Sequence, residues 1–182
     1  MYAYCCAQPG ALNATVGHEL LHRKSLVHKV LGTFSYGKLG YSHYFIQHVR
    51  GHHKNVATPG DNSTARADES VYQFYMRVVP CGYIEVWEYE QNRLKQLNGG
   101  ANSLVNSFLH NRLISFTLCE ALYFGMIYFV FGGKGLLFHI LTNIIVLSQF
   151  EAVNYLEHYG LLRKIENGVY ESVKITHSWN AP

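Results

Sequence analysis

Apolar residues recur at helical spacing in several stretches, with polar runs between them. Residues 11–24, Ala-Leu-Asn-Ala-Thr-Val-Gly-His-Glu-Leu-Leu-His-Arg-Lys, contain no proline and fit the 3.6-residue period of a helix. His18 and His22 fall four apart on one face, and Arg23 and Lys24 stand where cations suit a helix C-terminus. The apolar run Tyr2 to Val16 holds Pro9 and Gly10 and reads as the end of a segment that begins upstream. Residues 26–49 are apolar and aromatic, with Gly32, Gly37 and Gly40 among them. Lys29 and Lys38 make them a poor membrane span, which predicts a helix lying at or dipping into an interface.

Residues 54–70 are polar and contain the turn Pro59-Gly60-Asp61-Asn62. Helical periodicity resumes over 70–97 and is interrupted at Pro80 and Gly82, predicting an amphipathic helix pair outside the hydrocarbon. Residues 98–102 read as a loop. Leu113 to Phe131 is 19 residues with one charge, Glu120, against the ~20 apolar residues a membrane helix needs. Gly132-Gly133-Lys134-Gly135 is a tight turn. Leu136 to Val153 is a second apolar run, carrying His139, Asn143, Gln149 and Glu151. Together, residues 113–153 predict a transmembrane hairpin. Residues 162–182 are polar.

Composition supports a membrane setting. Charged residues are 15% of the 182, below the roughly 25% of soluble domains, and there are 14 Tyr and 10 Phe. A net charge of +3 gives no nucleic-acid signal. The four cysteines form neither a C-x-x-C pair nor a disulfide framework. Eleven of the 15 Lys and Arg lie between Arg23 and Arg112, three follow the hairpin, and only Lys134 stands at its tip. The positive-inside rule then puts both flanks in the cytoplasm, so neither glycosylation sequon, at Asn13 or Asn62, faces a secretory lumen. The expected fold is all-α: one domain, a multi-pass integral membrane helical bundle with a histidine cluster on its cytoplasmic face.

Eleven histidines are an excess for this length. Six gather in three stretches on the expected cytoplasmic face: His18 and His22; His48, His52 and His53; and His158. On an α-helix His48 and His52 share a face and His53 points away from it. Imidazole is a neutral ligand for iron, copper, nickel or zinc, so such a cluster can sit beside hydrocarbon without burying carboxylate charge. Zinc takes three or four protein ligands, so six imidazoles match two metals better than one. His18-Glu19-Leu20-Leu21-His22 also spells H-E-x-x-H, which in a zinc membrane metalloprotease makes Glu19 the general base. His28, His43, His110 and His139 read as surface or packed side chains, His139 with a polar path as a second reading. Glu157 and Asp61 are candidates to orient ligands, and His177 is a weaker one. Glu120 faces either a helix partner or a substrate path.

Three segments resemble the histidine boxes of membrane alkane hydroxylases, within the fatty acid desaturase and hydroxylase superfamily. They are His-Glu-Leu-Leu-His-Arg-Lys at 18–24, His-Val-Arg-Gly-His-His at 48–53, and Asn-Tyr-Leu-Glu-His-Tyr-Gly-Leu at 154–161. The stretch Val56 to Asp61 and the tail His177-Ser178-Trp179-Asn180 are similar to that family as well. The resemblance implies two non-haem iron ions held by His18, His22, His48, His52, His53 and His158. It also implies terminal hydroxylation of alkanes with O2 and a rubredoxin-type electron donor; a related desaturase or hydroxylase shares the boxes. The family's last box, His-x-x-His-His, lies beyond the point where this sequence ends. The expectation is therefore a fragment that lacks that box and the N-terminal helices. Gln47 stands where the family often has Glu, and Thr176 where a second His is common.

Overall fold

The computed structural model describes residues 1–97 and 108–179, and helices dominate it. Helix α1 spans Tyr2–Leu21 and α2 spans Leu26–Gly37. A short α3, Tyr44–Ile46, runs directly into a π-helix, Gln47–His52, and then α4, His53–Asn55. Helix α5 is Val71–Leu97 and α6 is Arg112–His158. A two-stranded antiparallel hairpin, β1 Ile165–Glu166 with β2 Val169–Tyr170, and a 3₁₀ turn at Ile175–His177 complete it. The loop expected at 98–102 lies outside the described residues.

Several sequence expectations change. Helix α1 starts at Tyr2 rather than residue 11 and passes through Pro9. The ring removes one intrahelical bond, and packing of the buried face Ala7, Ala14, Gly17 and Leu21, which flanks it on both sides, outweighs that loss. Helix α5 likewise runs through Pro80 as one helix, not a pair. Its buried face, Phe74, Val78, Gly82, Val86, Glu90 and Leu94, repeats every four residues across the proline. Tertiary packing of that stripe outweighs the breaker. The small β-hairpin departs from the all-α expectation. Its turn is Asn167-Gly168, both with positive φ (53° and 80°), the sequence signal that favours a two-residue hairpin loop.

Helix α6 folds back on itself. Gly132 has φ 68° and ψ −175°, outside the helical region. The Tyr123 and His139 rings lie 5.6 Å apart and Phe124 and His139 5.3 Å, whereas sixteen residues of straight helix would separate them by about 24 Å. The two arms therefore lie side by side. Asn111 caps the first arm by accepting from the Leu113 and Ile114 N–H groups. Helix α6 is long and apolar enough to cross a membrane, and only 11% of its most apolar 18-residue window is buried.

Helix α1 packs between α2 and the second arm of α6. Val146 sits on Gly10, and Gly17 lets α1 approach Gly32 of α2. The core here is Ala7, Ala14, Leu21, Tyr36, Tyr41, Tyr44 and Val146. The polar segment 54–70 tucks under the end of α6: Gly160 N–H donates to Ala65 O and Arg163 N–H to Ala57 O. Arg77 of α5 fixes the same segment through Glu69, Asn62 O and Thr64 O.

Candidate metal centre

The end of α1, the π-helix and the end of α6 meet at one place. Four imidazoles, His18, His22, His48 and His53, bring ligand atoms within 4.8 Å of one another. His48 Nε2 lies 2.7 Å from His18 Nε2, 3.2 Å from His22 Nε2 and 2.9 Å from His53 Nε2; His18 and His22 are 3.1 Å apart. His18 and His22 meet because they are one helical turn apart near the end of α1. His48 and His53 meet for a different reason. A π-helix bonds i to i+5, and His53 N–H reaches His48 O. The two side chains five apart therefore line up. The α-helical expectation turned His53 away from His48; in the π-helix His53 meets His48, while His52 keeps its place beside it.

His52 instead faces His158, with ring centroids 4.8 Å apart. It is still adjacent to the cluster, since its ring stacks 5.3 Å from His48. The structure thus brings all six sequence-predicted histidines together as a group of four and an adjoining pair.

These contacts fit a cation better than protons. A ring nitrogen carries either one proton or one lone pair, so His48 Nε2 can satisfy at most one of its three close neighbours by hydrogen bonding. The neighbouring Nδ1 atoms explain which nitrogen is free. His52 Nδ1–H donates to Asp61 Oδ2 at 2.8 Å and His158 Nδ1–H to His177 O at 3.1 Å. His48 Nδ1 bonds the Tyr44 hydroxyl at 2.9 Å. A protonated Nδ1 leaves the Nε2 lone pair for a metal. The four close Nε2–Nε2 distances are 2.7–3.2 Å, and all four ligand atoms lie within 4.8 Å of one another.

Burial and neighbouring charge keep His48 and His53 neutral. Burial, and then the charge of neighbouring imidazoles, His52 foremost, push His48 well below the ordinary histidine range and His53 down to about 4. Burial would raise Asp61, but hydrogen bonds from His52, Thr64 and the Ser63 N–H outweigh it and hold the carboxyl low. An ionised Asp61 is the acceptor that His52 needs.

Asp61 touches a histidine of the cluster, as the sequence suggests. Glu157 lines the cavity beside His18 but makes no bond to a histidine among those described. His177 acts through its backbone carbonyl, and its ring pairs with Glu171 at 3.4 Å. Gln47 is buried and donates to Ser63 Oγ, fixing the polar loop. Tyr44 was missed as a functional residue, although it stands one turn before His48 on the same face. Glu19 of H-E-x-x-H is exposed and reaches only His18 Nδ1, at 3.8 Å, on the side of the ring away from the converging Nε2 atoms. It is badly placed for a general base. Glu120, His139 and Asn143 lie away from the cluster, on the 38–43 turn.

A cavity of ≈ 200 Å³ opens onto the histidines between α1 and the second arm of α6. His18, His48 and His52 form one wall; Ala11, Phe150 and Val153 form an apolar one.

The fatty acid desaturase family model matches residues 1–182. The chain is 38% identical over 172 residues to the alkane 1-monooxygenase of Ectopseudomonas oleovorans and to alkane 1-monooxygenase 1 of Alcanivorax borkumensis, covering 94% of this chain and 41% of each relative. It is 25% identical over 172 residues to the hydroxylase component of xylene/toluene monooxygenase from Pseudomonas putida, with 94% and 44% covered. The chain thus spans about two fifths of the length of the curated relatives it matches. A family match along the whole sequence, together with histidines converging from three separate segments, assigns the chain to the fatty acid desaturase family.

Proposed function

We propose that the protein to which this chain contributes is a non-haem diiron membrane monooxygenase that hydroxylates the terminal carbon of alkanes with O2. The observation that carries this reading is the convergence of four Nε2 atoms, beside a histidine pair with fixed tautomers. The alkane 1-monooxygenase relatives, matched over 94% of the chain, support the substrate class.

His18, His22, His48 and His53 would hold one iron, and His52 and His158 would contribute to a second. Bound iron supplies the reduction of O2 and the oxidising power to break an unactivated C–H bond. The protein's own residues do the rest. Asp61, the His177 carbonyl and Tyr44 fix the orientation of three imidazoles. Ala11, Phe150 and Val153 offer an alkane an apolar strip beside that wall, with Thr15, Gln149, Asn154 and Glu157 as polar lining. A substrate without polar groups needs shape and exclusion of water rather than hydrogen bonds. The two arms of α6 cross the bilayer as a hairpin, with the histidines on the cytoplasmic face, where a rubredoxin-type donor delivers electrons. The lysines and arginines flanking the hairpin support that orientation.

The test uses the full-length protein. Two iron atoms per chain and 1-alcohol from a medium-chain alkane are expected. One zinc per chain would overturn the oxygenase reading, and desaturated lipid without 1-alcohol would move the protein to a desaturase activity.

A further inference from the structure

Three polar side chains lie inside the most apolar helix and touch none of the six histidines: Glu120, His139 and Asn143. Polar groups at membrane depth are costly and need a reason. All three are spent on the backbone of one short turn, residues 38–43, between α2 and α3. The Lys38 carbonyl accepts from His139 Nε2 at 2.9 Å and from Asn143 Nδ2 at 2.9 Å. The Ser42 N–H donates to Glu120 Oε1 at 2.7 Å. From α5, the Tyr83 hydroxyl donates to the Gly40 carbonyl at 3.1 Å. Gly40 has φ 72° and packs against Phe124, so the turn is irregular backbone seated on the hairpin.

Its depth follows from the helices around it. Helix α2 runs back along α1, away from the metal cluster: Leu21 meets Gly32, Tyr36 hydroxyl donates to Ala14 O, and Lys38 reaches Asn13. The twelve residues of α2 rise about 18 Å, against about 30 Å of hydrocarbon. Glu120, Phe124, His139 and Asn143 lie about 10–18 Å along their arms from Gly132. The turn therefore sits partway along the hairpin, and α3 and the π-helix lead back to the histidines. Irregular backbone at that depth persists only where protein satisfies its polar groups, which these side chains do.

We propose that residues 26–53 form a re-entrant unit entering and leaving on the histidine-bearing face, and that Glu120, His139 and Asn143 are positioning residues that lock its turn. The lock sets how far the π-helix stands from the end of α1, and so whether His48 and His53 meet His18 and His22. The inference rests on the membrane reading above.

Labelling in sealed vesicles tests it, with the full-length protein and its native cysteines replaced. Single cysteines at Lys24→Cys and Lys54→Cys are expected to react with an impermeant maleimide from one face. Lys134→Cys should react from the other, and Leu39→Cys from neither. Labelling of Leu39→Cys from the Lys134 face would overturn the re-entrant path. In the double variant His139→Leu/Asn143→Leu, Leu39→Cys should react about tenfold faster, the scale of lost interhelical polar contacts. The pair His139→Gln/Asn143→Gln should restore protection. Unchanged protection in a folded leucine variant would overturn the lock. The cobalt(II) spectrum should change with the leucine pair and recover with the glutamine pair. If the unmutated protein binds no cobalt, the metal reading fails, while labelling still decides the re-entrant path.

Discussion

Asp61 and His52 show how much of the candidate site depends on one hydrogen bond. With Nδ1–H held by Asp61 at 2.8 Å, the His52 Nε2 lone pair faces the cluster side. Asp61→Ala removes that acceptor, and the expected loss in metal affinity is about 10–100-fold, measured by competition with a chromophoric chelator. Tyr44→Phe should act in the same direction but less, because Nδ1 of His48 loses a neutral partner rather than an ionised one. Legibility at this scale was uneven. The six histidines and Asp61 could be picked out by residue type and spacing. Tyr44 could not, because a tyrosine among 14 has no distinctive signal until its hydroxyl is seen against His48.

At the element scale, the π-helix decides which histidines pair. Gly51 sits inside it, and an added Cβ would come 2.0 Å from Glu85 Oε1 of α5. The neighbour there is a side chain rather than backbone. Gly51→Ala should therefore displace the flexible Glu85 carboxylate, and its effect on the melting temperature should be coupled to that of Glu85→Ala in a double-mutant cycle. Simple additivity of the two changes would refute this contact. The other element joint is Glu90 of α5, buried and bonded to both Arg93 and Arg112. Burial would raise its pKa, but hydrogen bonds from Arg112 and Arg93 outweigh this and bring it to about 2. Its folded pKa is thus depressed. The stabilisation is complete above the unfolded value near pH 4.5 and is lost as pH falls toward about 2, with about 3 kcal/mol at stake. Acid denaturation of Glu90→Gln should lack that component, and the variant should be less stable at neutral pH because two arginines lose their buried partner.

For the whole molecule, the candidate metal centre lies where elements that also share a core converge, α1 packing along the second arm of α6. The end of α1, the π-helix and the end of α6 meet at the histidines, and the polar segment 54–70 closes the back. A metal bound only by the folded state stabilises by mass action, about 2.7 kcal/mol at a hundredfold excess over Kd. Chelation should lower the melting temperature of the full-length protein, and iron should restore it. A melting temperature indifferent to chelator would argue that the histidines hold no metal. The two-armed α6 gives a further check: charged substitutions on its exposed apolar face, such as Phe129→Lys, should impair membrane integration while leaving the histidine geometry alone.

The sequence alone determined the ingredients: two apolar arms around Gly132, a polar segment between helices, and six histidines of ligand type in three stretches. Those follow from local chemistry and periodicity, which act over one or two turns. It could not determine that Pro9 and Pro80 lie inside helices, because packing of a buried face overrides a local breaker. Nor could it determine that His48 pairs with His53. An extra residue in the helical turn is accompanied by contacts with α5 and with the adjoining 54–70 segment, which helical periodicity does not encode. The roles of Glu120, His139 and Asn143 were hidden for the same reason: their partners are backbone groups about 80 to 105 residues away. Only the tertiary structure could bring those donors and acceptors together.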